Sequence, residues 1–229
     1  MTTKKDGLYL LLGVSFVVQA TTSLIGGVIG IGPFTDAGNI AITMKNIANS
    51  INGVFIGIFL QIITSLVIVV LGAALFQVGK RINKTAALIA FGFYLIEAII
   101  NIFNQTIVFA LCGVSRLFSS NGDAALTTIG DLLSVSRDFS SAISMMPFGF
   151  GAILFYYLIT RAGVIPKWLG LWGIIAVIFV LVGWTIEAFE VSVPFMLYIP
   201  YVPWEWVAGI YISTKGFKDI PNVSLHLTT

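Results

Sequence analysis

Two glutamates of this chain, Glu97 and Glu205, lie inside long apolar stretches, where a charged side chain carries a high free-energy cost. Glu97 is about midway along the apolar run of residues 86–111, and Glu205 stands between Trp204 and Trp206. Two acids that face one water-poor space do not both ionise easily. Such a pair can handle a proton or a cation, or can clamp the amine of a ligand. The structural alternative is that each acid hydrogen-bonds to neighbouring helices and fixes their packing.

Amide side chains extend the polar character of the run around Glu97. Asn101, Asn104 and Gln105 follow it at spacings of four, seven and eight residues, which places all four on one face of a helix. Such a face must turn toward protein or water, because lipid tails offer it no partner. Gln61 marks a similar face in an earlier apolar run. We therefore predict that a ligand or an ion binds between the helices, at Glu97, Asn101, Asn104, Gln105, Gln61 and Glu205.

The segment around Glu205 is predicted to break. Pro200 and Pro203 precede the acid, and proline removes a backbone donor and clashes with the preceding turn. If a new helix begins at Pro203, Glu205 falls in its first turn, where the positive end of the helix dipole favours a carboxylate. Trp204 and Trp206 flank the acid, and they either wall a pocket suited to a cation or fill the core.

The elements that must position these residues are membrane helices. Of the 229 residues, 58% are hydrophobic and 10% are charged, and the mean hydropathy is +1.00. Soluble domains carry about 25% charged residues, and an apolar run of about 20 residues crosses a bilayer as a helix. We therefore predict an all-α, polytopic membrane helix bundle that forms a single domain, residues 1–229. The six predicted transmembrane helices are residues 7–31, 51–78, 86–111, 140–160, 168–189 and 191–213.

The cationic residues between the spans predict the orientation of the bundle. Nine of the twelve lysines and arginines fall on one side, with both termini, and three fall on the other. An excess of lysine and arginine marks the cytoplasmic side, so both termini are predicted to be cytoplasmic. The larger group is Lys4, Lys5, Lys80, Arg81, Lys84, Arg161, Lys167, Lys215 and Lys218. The opposite side holds Lys45, Arg116 and Arg137 and the acids Asp36, Asp123, Asp131, Asp138 and Glu190.

Two segments allow a second interpretation. The first span follows basic residues and resembles a secretory signal with a cleavage site near Ala20, although its apolar run continues to Ile31, which favours a retained helix. The longest loop, residues 113–139, contains apolar residues at helical spacing. It forms either a short helix on the outer surface or an extension of the fourth span.

Composition excludes several kinds of site. Cys112 is the single cysteine, so the chain has no internal disulfide and no thiolate metal cluster. His226 is the single histidine, which rules out a bis-histidine haem, a histidine-rich zinc site and a Ser-His-Asp triad within one chain. A net charge of +2 without a basic cluster does not indicate nucleic-acid binding. We predict no cofactor, no metal and no catalytic residue, and an enzyme is the least favoured class.

A motif in the second half of the chain resembles a family signature. Residues 161–173, Arg-Ala-Gly-Val-Ile-Pro-Lys-Trp-Leu-Gly-Leu-Trp-Gly, are similar to the pattern R-x-x-x-I/L-P-R/K-W-L-x-x-W-G of a bacterial and archaeal family, domain of unknown function 4386. Glu205 with Lys215-Gly216-Phe217 resembles the closing pattern of that family, and residues 91–98 resemble its central segment. The resemblance implies a multi-helix membrane protein of unassigned activity. It points to Glu97, Glu205, Arg161, Pro166 and Trp168.

The start of this motif also has a physical interpretation. Arg161 and Lys167 frame a short turn, and Trp168 begins the fifth span. Residues of these types anchor a helix at the membrane interface or bind an anionic lipid headgroup.

Two functional hypotheses follow. The first is a small-solute, proton or cation carrier that uses the mid-membrane carboxylates and lies in the plasma membrane of a prokaryote. The second is a membrane receptor, sensor or scaffold protein that binds a lipid or a partner, with the buried acids structural. The predicted partners are the lipid bilayer and a small molecule or lipid inside the bundle.

Overall fold

The computed structural model describes residues 4–36, 38–189 and 191–215, and these residues form seven α-helices and no β-strand. The helices are α1 (Lys4–Ile29), α2 (Ile40–Asn49), α3 (Ile51–Gly79), α4 (Lys84–Asn121), α5 (Ala125–Arg161), α6 (Lys167–Glu187) and α7 (Val202–Lys215). Short 3₁₀ turns lie at Gly32–Phe34 and Phe195–Leu197. The predictions for Glu190, Gly216, Phe217, Lys218 and His226 concern residues outside the described ranges.

Five helices, α1, α3, α4, α5 and α6, are long and apolar enough to cross a membrane. They match the first five predicted spans. Large apolar side chains such as Phe59, Leu66 and Ile99 are exposed on their outer faces, as expected of surfaces in contact with lipid. The prediction of an all-helical membrane bundle is therefore confirmed.

The sixth predicted span, residues 191–213, is not one continuous helix. The segment forms a 3₁₀ turn and then α7, which begins at Val202, beside the prolines, with Glu205 in its first turn. The 14 residues of α7 extend about 21 Å, whereas the hydrocarbon layer of a bilayer is about 30 Å thick. The full sixth span is therefore not confirmed. The break predicted ahead of Glu205 is confirmed.

The segment predicted as the longest loop, residues 113–139, is mostly helical. α4 continues to Asn121 and α5 begins at Ala125, so the extension of the fourth span is the correct interpretation. Gly122 permits the sharp reversal between them, because it adopts a left-handed conformation with φ 69°. With 38 residues, α4 is about 57 Å long, and both helices project well beyond a bilayer core.

A short helix that the sequence patterns did not reveal, α2, packs against this projection. The side chain of Asn39 caps it by accepting a hydrogen bond from the backbone N–H of Ile42 at 3.2 Å. Its Met44 and Ile47 are fully buried, and α2 contacts both α4 and α5. The projection is therefore a packed lobe rather than a flexible loop.

The helices form a ring in the order α1, α3, α4, α5, α6 and α7, and α7 closes the ring by packing against α1. Glycines allow the closest crossings: a Cβ at Gly57 on α3 would collide with the backbone of Gly30, just after α1. The backbones of Gly13 on α1 and Gly209 on α7 approach in the same way. These close glycine contacts lie within one chain.

The two ends of the bundle differ. The α3–α4 and α5–α6 turns meet at one end, where a Cβ on Gly79 would lie 3.1 Å from the side chain of Leu158. We call this the basic end, because it holds Lys80, Arg81, Lys84, Arg161 and Lys167. The α4–α5 turn and α2 lie at the opposite end.

Aromatic side chains fill the half of the bundle nearer the basic end. The rings of Tyr156 and Trp204 have centroids 4.0 Å apart, and that of Phe16 lies 5.7 Å from Trp204, edge to face. All three side chains are fully buried. We call this layer of Phe16, Tyr156 and Trp204 the aromatic floor, since the space above it is open.

Candidate functional site

Above the aromatic floor, the helices enclose a cleft with a volume of about 1320 Å³. It extends from residues at the opposite end, such as Thr35 and Ala188, down to Glu97 and Glu205. Along α4 alone it runs from Val108 to Glu97, eleven residues or about 16 Å. A cavity of this size can take a small organic molecule.

The structure brings most of the predicted polar residues to this one cleft. Those that line it are Glu97, Asn101, Asn104, Gln105, Gln61 and Glu205. They come from α3, α4 and α7, whose polar faces turn toward the centre of the ring. Gln61 donates to the backbone carbonyl of Ser23 at 3.3 Å, and Thr64 donates to Thr22 at 2.7 Å, so the polar faces of α3 and α1 meet directly.

The two acids sit at the bottom of the cleft in different environments. Glu97 is 3% exposed, and its buried Oε2 has no hydrogen-bond partner among the described residues. Glu205 is 6% exposed, and its Oε1 accepts a hydrogen bond of 2.5 Å from the hydroxyl of Tyr201, one turn earlier. The side chain of Gln19 on α1 also faces the Glu205 carboxyl, and the two acids are close enough to interact electrostatically. Glu205 is thus held in place, whereas one carboxyl oxygen of Glu97 is buried without a partner among the described residues.

The two tryptophans beside Glu205 do not line the cleft. The side chain of Trp204 is fully buried against Gly173, and its indole N–H donates to the carbonyl of Leu169 at 2.8 Å. The indole N–H of Trp206 donates to the hydroxyl of Thr21 at 3.1 Å. Both rings therefore fix α7 against its neighbours. Core filling, rather than a pocket wall, is the role that these contacts support.

Tyrosine hydroxyls connect the aromatic floor to Glu205. The hydroxyl of Tyr156 is 3.5 Å from that of Tyr201, which donates to Glu205. Tyr94 on α4 also lies within hydrogen-bonding reach of Tyr156. Sequence analysis missed this connection, because the three tyrosines are far apart in the chain.

Arg137 is another cleft residue that the sequence patterns did not single out. The apolar spacing of residues 113–139 predicted either a surface helix or an extension of the fourth span and gave Arg137 no role in a site, but Arg137, Asp138 and Ser141 all line the upper cleft. Ser141 accepts a hydrogen bond of 2.8 Å from the side-chain amide of Asn104. The one feature of the sequence that could have indicated this role was the positive charge of Arg137, four residues before Ser141.

At the basic end, Arg161, Lys167 and Trp168 lie at the α5–α6 turn, far from the cleft. The guanidinium of Arg161 lies over the ring of Tyr157, 5.9 Å from its centroid. Trp168 is 59% exposed and stacks on Trp172, which in turn donates to the carbonyl of Pro200 at 2.9 Å. These contacts suit a helix anchor at the membrane surface.

Metal binding has little basis among the described residues, in which no three His, Cys, Asp or Glu side chains come together. The two acids of the cleft form a pair instead. A pair of carboxyls between amides can bind a proton, a monovalent cation or an amine.

The comparison with protein families supplies the classification. The family described as "Domain of unknown function (DUF4386)" matches residues 11–216, which include most of α1 and all of the later helices. The chain belongs to the DUF4386 family. The resemblance found in the sequence is thereby confirmed. No curated protein and no solved structure matches the chain.

Proposed function

We propose that this DUF4386 protein is a carrier that binds a small organic cation in the cleft, with Glu97 as the main binding residue and Glu205 beside it. The observation that carries the proposal is the Oε2 of Glu97, which is buried without a partner among the described residues and belongs to a side chain that lines the cleft. A buried acceptor left unpaired costs about 1–3 kcal/mol of folding free energy, and more when it is charged. A cationic ligand that donates a hydrogen bond to this oxygen would remove that cost.

The charges of the cleft support a cation rather than an anion. Among the described residues that line it, four are acids, Glu97, Asp138, Glu187 and Glu205, and Arg137 is the single cation. Most of the remaining lining is apolar, including Ile58, Val108 and Phe148. A cation with an apolar body fits both features.

The shape of the bundle supports carriage. The cleft begins at the opposite end, and the aromatic floor separates the two acids from the basic end. Carriers commonly bind their substrates near mid-membrane, at helices that are broken, and α7 begins at such a break beside Glu205. We propose that the basic end faces the cytoplasm of a prokaryote and that the cleft opens outward across its plasma membrane. Residues 191–215 would then complete the sixth crossing as a bent segment, with Arg161, Lys167 and Trp168 at the inner lipid headgroups.

The experiment is uptake of ethidium, a fluorescent organic cation, into vesicles that contain the purified protein. Replacing Glu97 by glutamine removes the charge and keeps the size, so the affinity for ethidium should fall roughly tenfold to hundredfold, the range of a hydrogen bond to a charged group. Glu205→Gln should have a smaller effect on affinity, because Tyr201 already occupies one of its oxygens. Lower pH should weaken binding to the wild type, because protonated carboxyls attract a cation less.

Asp131→Asn is the matched control, because Asp131 is an exposed acid on α5 that does not line the cleft. It should leave uptake unchanged. If Glu97→Gln keeps full uptake while its unfolding temperature falls, the acid is structural and the proposal is wrong. The alternative function is a receptor, sensor or scaffold in which the buried acids are structural. The hydrogen bond from Tyr201 to Glu205 supports a structural role for Glu205 and so favours this alternative for that one acid.

A further inference from the structure

We infer that Arg137 forms an anion subsite in the upper cleft, so that the cleft takes a bipolar ligand with an amine at Glu97 and a carboxylate at Arg137. This inference rests on the proposed function, since the ligand keeps the cationic group proposed to bind at the two acids and gains an anionic group at its other end. The ligand class is a short peptide, extended along the cleft, with both termini free.

The orientation of the guanidinium is the first observation. The Arg137 side chain is 11% exposed, and its Nε and Nη2 donate to Oδ1 of Asp138 at 2.8 and 2.5 Å. Its Nη1 is buried and has no hydrogen-bond partner among the described residues, although the residue lines the cleft. Buried donors are rarely left unpaired, so this group indicates a missing acceptor.

The neighbouring carboxylate does not remove the capacity for an anion. The Asp138 side chain is 64% exposed, and an ion pair so close to solvent is weak. Asp138 uses one edge of the guanidinium and fixes its orientation. A guanidinium has five N–H donors in a planar fork and can bind a second carboxylate at the remaining nitrogen.

The wall below Arg137 adds a polar contact between the two ends of the cleft. Asn104 donates to Ser141 at 2.8 Å, and its Oδ1 is buried without a partner among the described residues. This oxygen can accept an N–H from the middle of a ligand, such as that of a peptide group. The amide in the opposite orientation would accept from Ser141 and present its N–H₂ instead. In both orientations one amide group remains available to the ligand.

The spacing selects the length of the ligand. Arg137 is four residues above Ser141 on α5, about 6 Å, and Glu97 is seven residues below Asn104 on α4, about 10 Å. Because Asn104 and Ser141 lie at one level, the charged positions are about 16 Å apart along the bundle. An extended peptide covers about 3.3–3.6 Å per residue, so four or five residues match this span.

The test compares tetra-alanine with tetra-alanine amide, which keeps the amine and lacks the carboxylate. Binding to the purified protein is measured by isothermal titration calorimetry. The wild type should bind the free acid roughly tenfold more tightly than the amide, and Arg137→Gln should bind the two peptides with equal affinity. Dialanine is too short to reach both ends and should show no such preference. Arg116→Gln, at an exposed arginine of α4, should behave like the wild type.

The inference is overturned if Arg137→Gln retains the preference, or if the wild type has none. Arg137→Lys keeps the charge and loses the planar fork, so it should keep part of the preference, and it replaces Arg137→Gln if that variant does not fold. A different result would contradict the proposed function itself. In that case tetra-alanine amide would bind to the wild type and to Glu97→Gln with equal affinity.

The anionic group could also come from a lipid headgroup. The titration is therefore repeated in nanodiscs of phosphatidylcholine with and without phosphatidylglycerol. Weaker tetra-alanine binding with phosphatidylglycerol, in the wild type and not in Arg137→Gln, assigns the same subsite to a lipid anion as well. Equal binding in both membranes assigns it to the carboxylate of the solute alone.

Discussion

At the scale of single residues, the two acids of the cleft are chemically alike and differently surrounded. Tyr201 donates to one oxygen of Glu205, and Gln19 faces the same carboxyl, whereas Oε2 of Glu97 is buried and unpaired. The sequence suggested that the two acids act as a pair. The contacts divide them into an acid that its neighbours hold and an acid that has an unpaired oxygen among the described residues, and the proposed function assigns binding to the second.

Tyr201→Phe tests the structural part of this division. The variant removes the hydroxyl that donates to Glu205, so the free energy of unfolding should fall by about 1–3 kcal/mol, the range for a buried group that loses its partner. Thermal unfolding in detergent measures the change. Tyr157→Phe, at a half-exposed tyrosine near the basic end, is the matched control and should alter the midpoint little. Equal midpoints for Tyr201→Phe and the wild type would show that the hydrogen bond does not hold Glu205.

At the scale of helices, close backbone approach decides which elements meet. The crossing of α1 and α3 places Gly57 against Gly30, and this contact draws the polar face of α3 toward α1. Without a hydrophobic driving force between helices in lipid, such packing and hydrogen bonds supply much of the stability. The shape of the cleft therefore depends on these glycines as well as on its polar side chains.

Gly57→Ala tests the crossing. The added methyl group would collide with the backbone of Gly30, so the helices must separate, and the variant should unfold at a lower temperature and bind ethidium more weakly. Gly92→Ala is the matched control, since its methyl group meets open space in the middle of α4. That variant should be as stable as the wild type or slightly more stable, because alanine favours a helix over glycine. Equal stability of the two variants would contradict the crossing.

At the scale of the whole molecule, the bundle has two unlike ends. The basic end is closed beneath the aromatic floor, and the opposite end carries the long α4–α5 projection with α2 packed on it. A carrier with this arrangement accepts its substrate from the projecting side. The proposed direction of that side relative to the cell rests on the lysines and arginines of the short turns, which are expected on the cytoplasmic side.

Labelling of single cysteines in intact bacterial cells tests the direction. In a Cys112→Ala background, a membrane-impermeant maleimide should react with Asp123→Cys, at the α4–α5 turn, and not with Lys80→Cys at the basic end. Permeabilised cells are the control, and there both variants should react. The reverse pattern in intact cells would place the basic end outside and would reject the proposed orientation.

The sequence by itself determined the class of the protein and the faces of its helices. Apolar runs predicted five helices that the structure contains, because the lipid environment leaves no other way to pair the backbone. Helical spacing placed Glu97, Asn101 and Gln105 on one face, and prolines located the break before α7. These features depend on neighbours in the chain, so they can be read without tertiary structure.

Only the tertiary structure decided what each face meets. Trp204 and Glu205 are adjacent in the chain, yet one fills the core and the other lines the cleft, because successive helical residues point in different directions. The pairing of Asn104 with Ser141 brought Arg137 to the same cleft, although the sequence placed it in a loop. Contacts between distant segments depend on how whole helices cross, and local spacing carries no information about that.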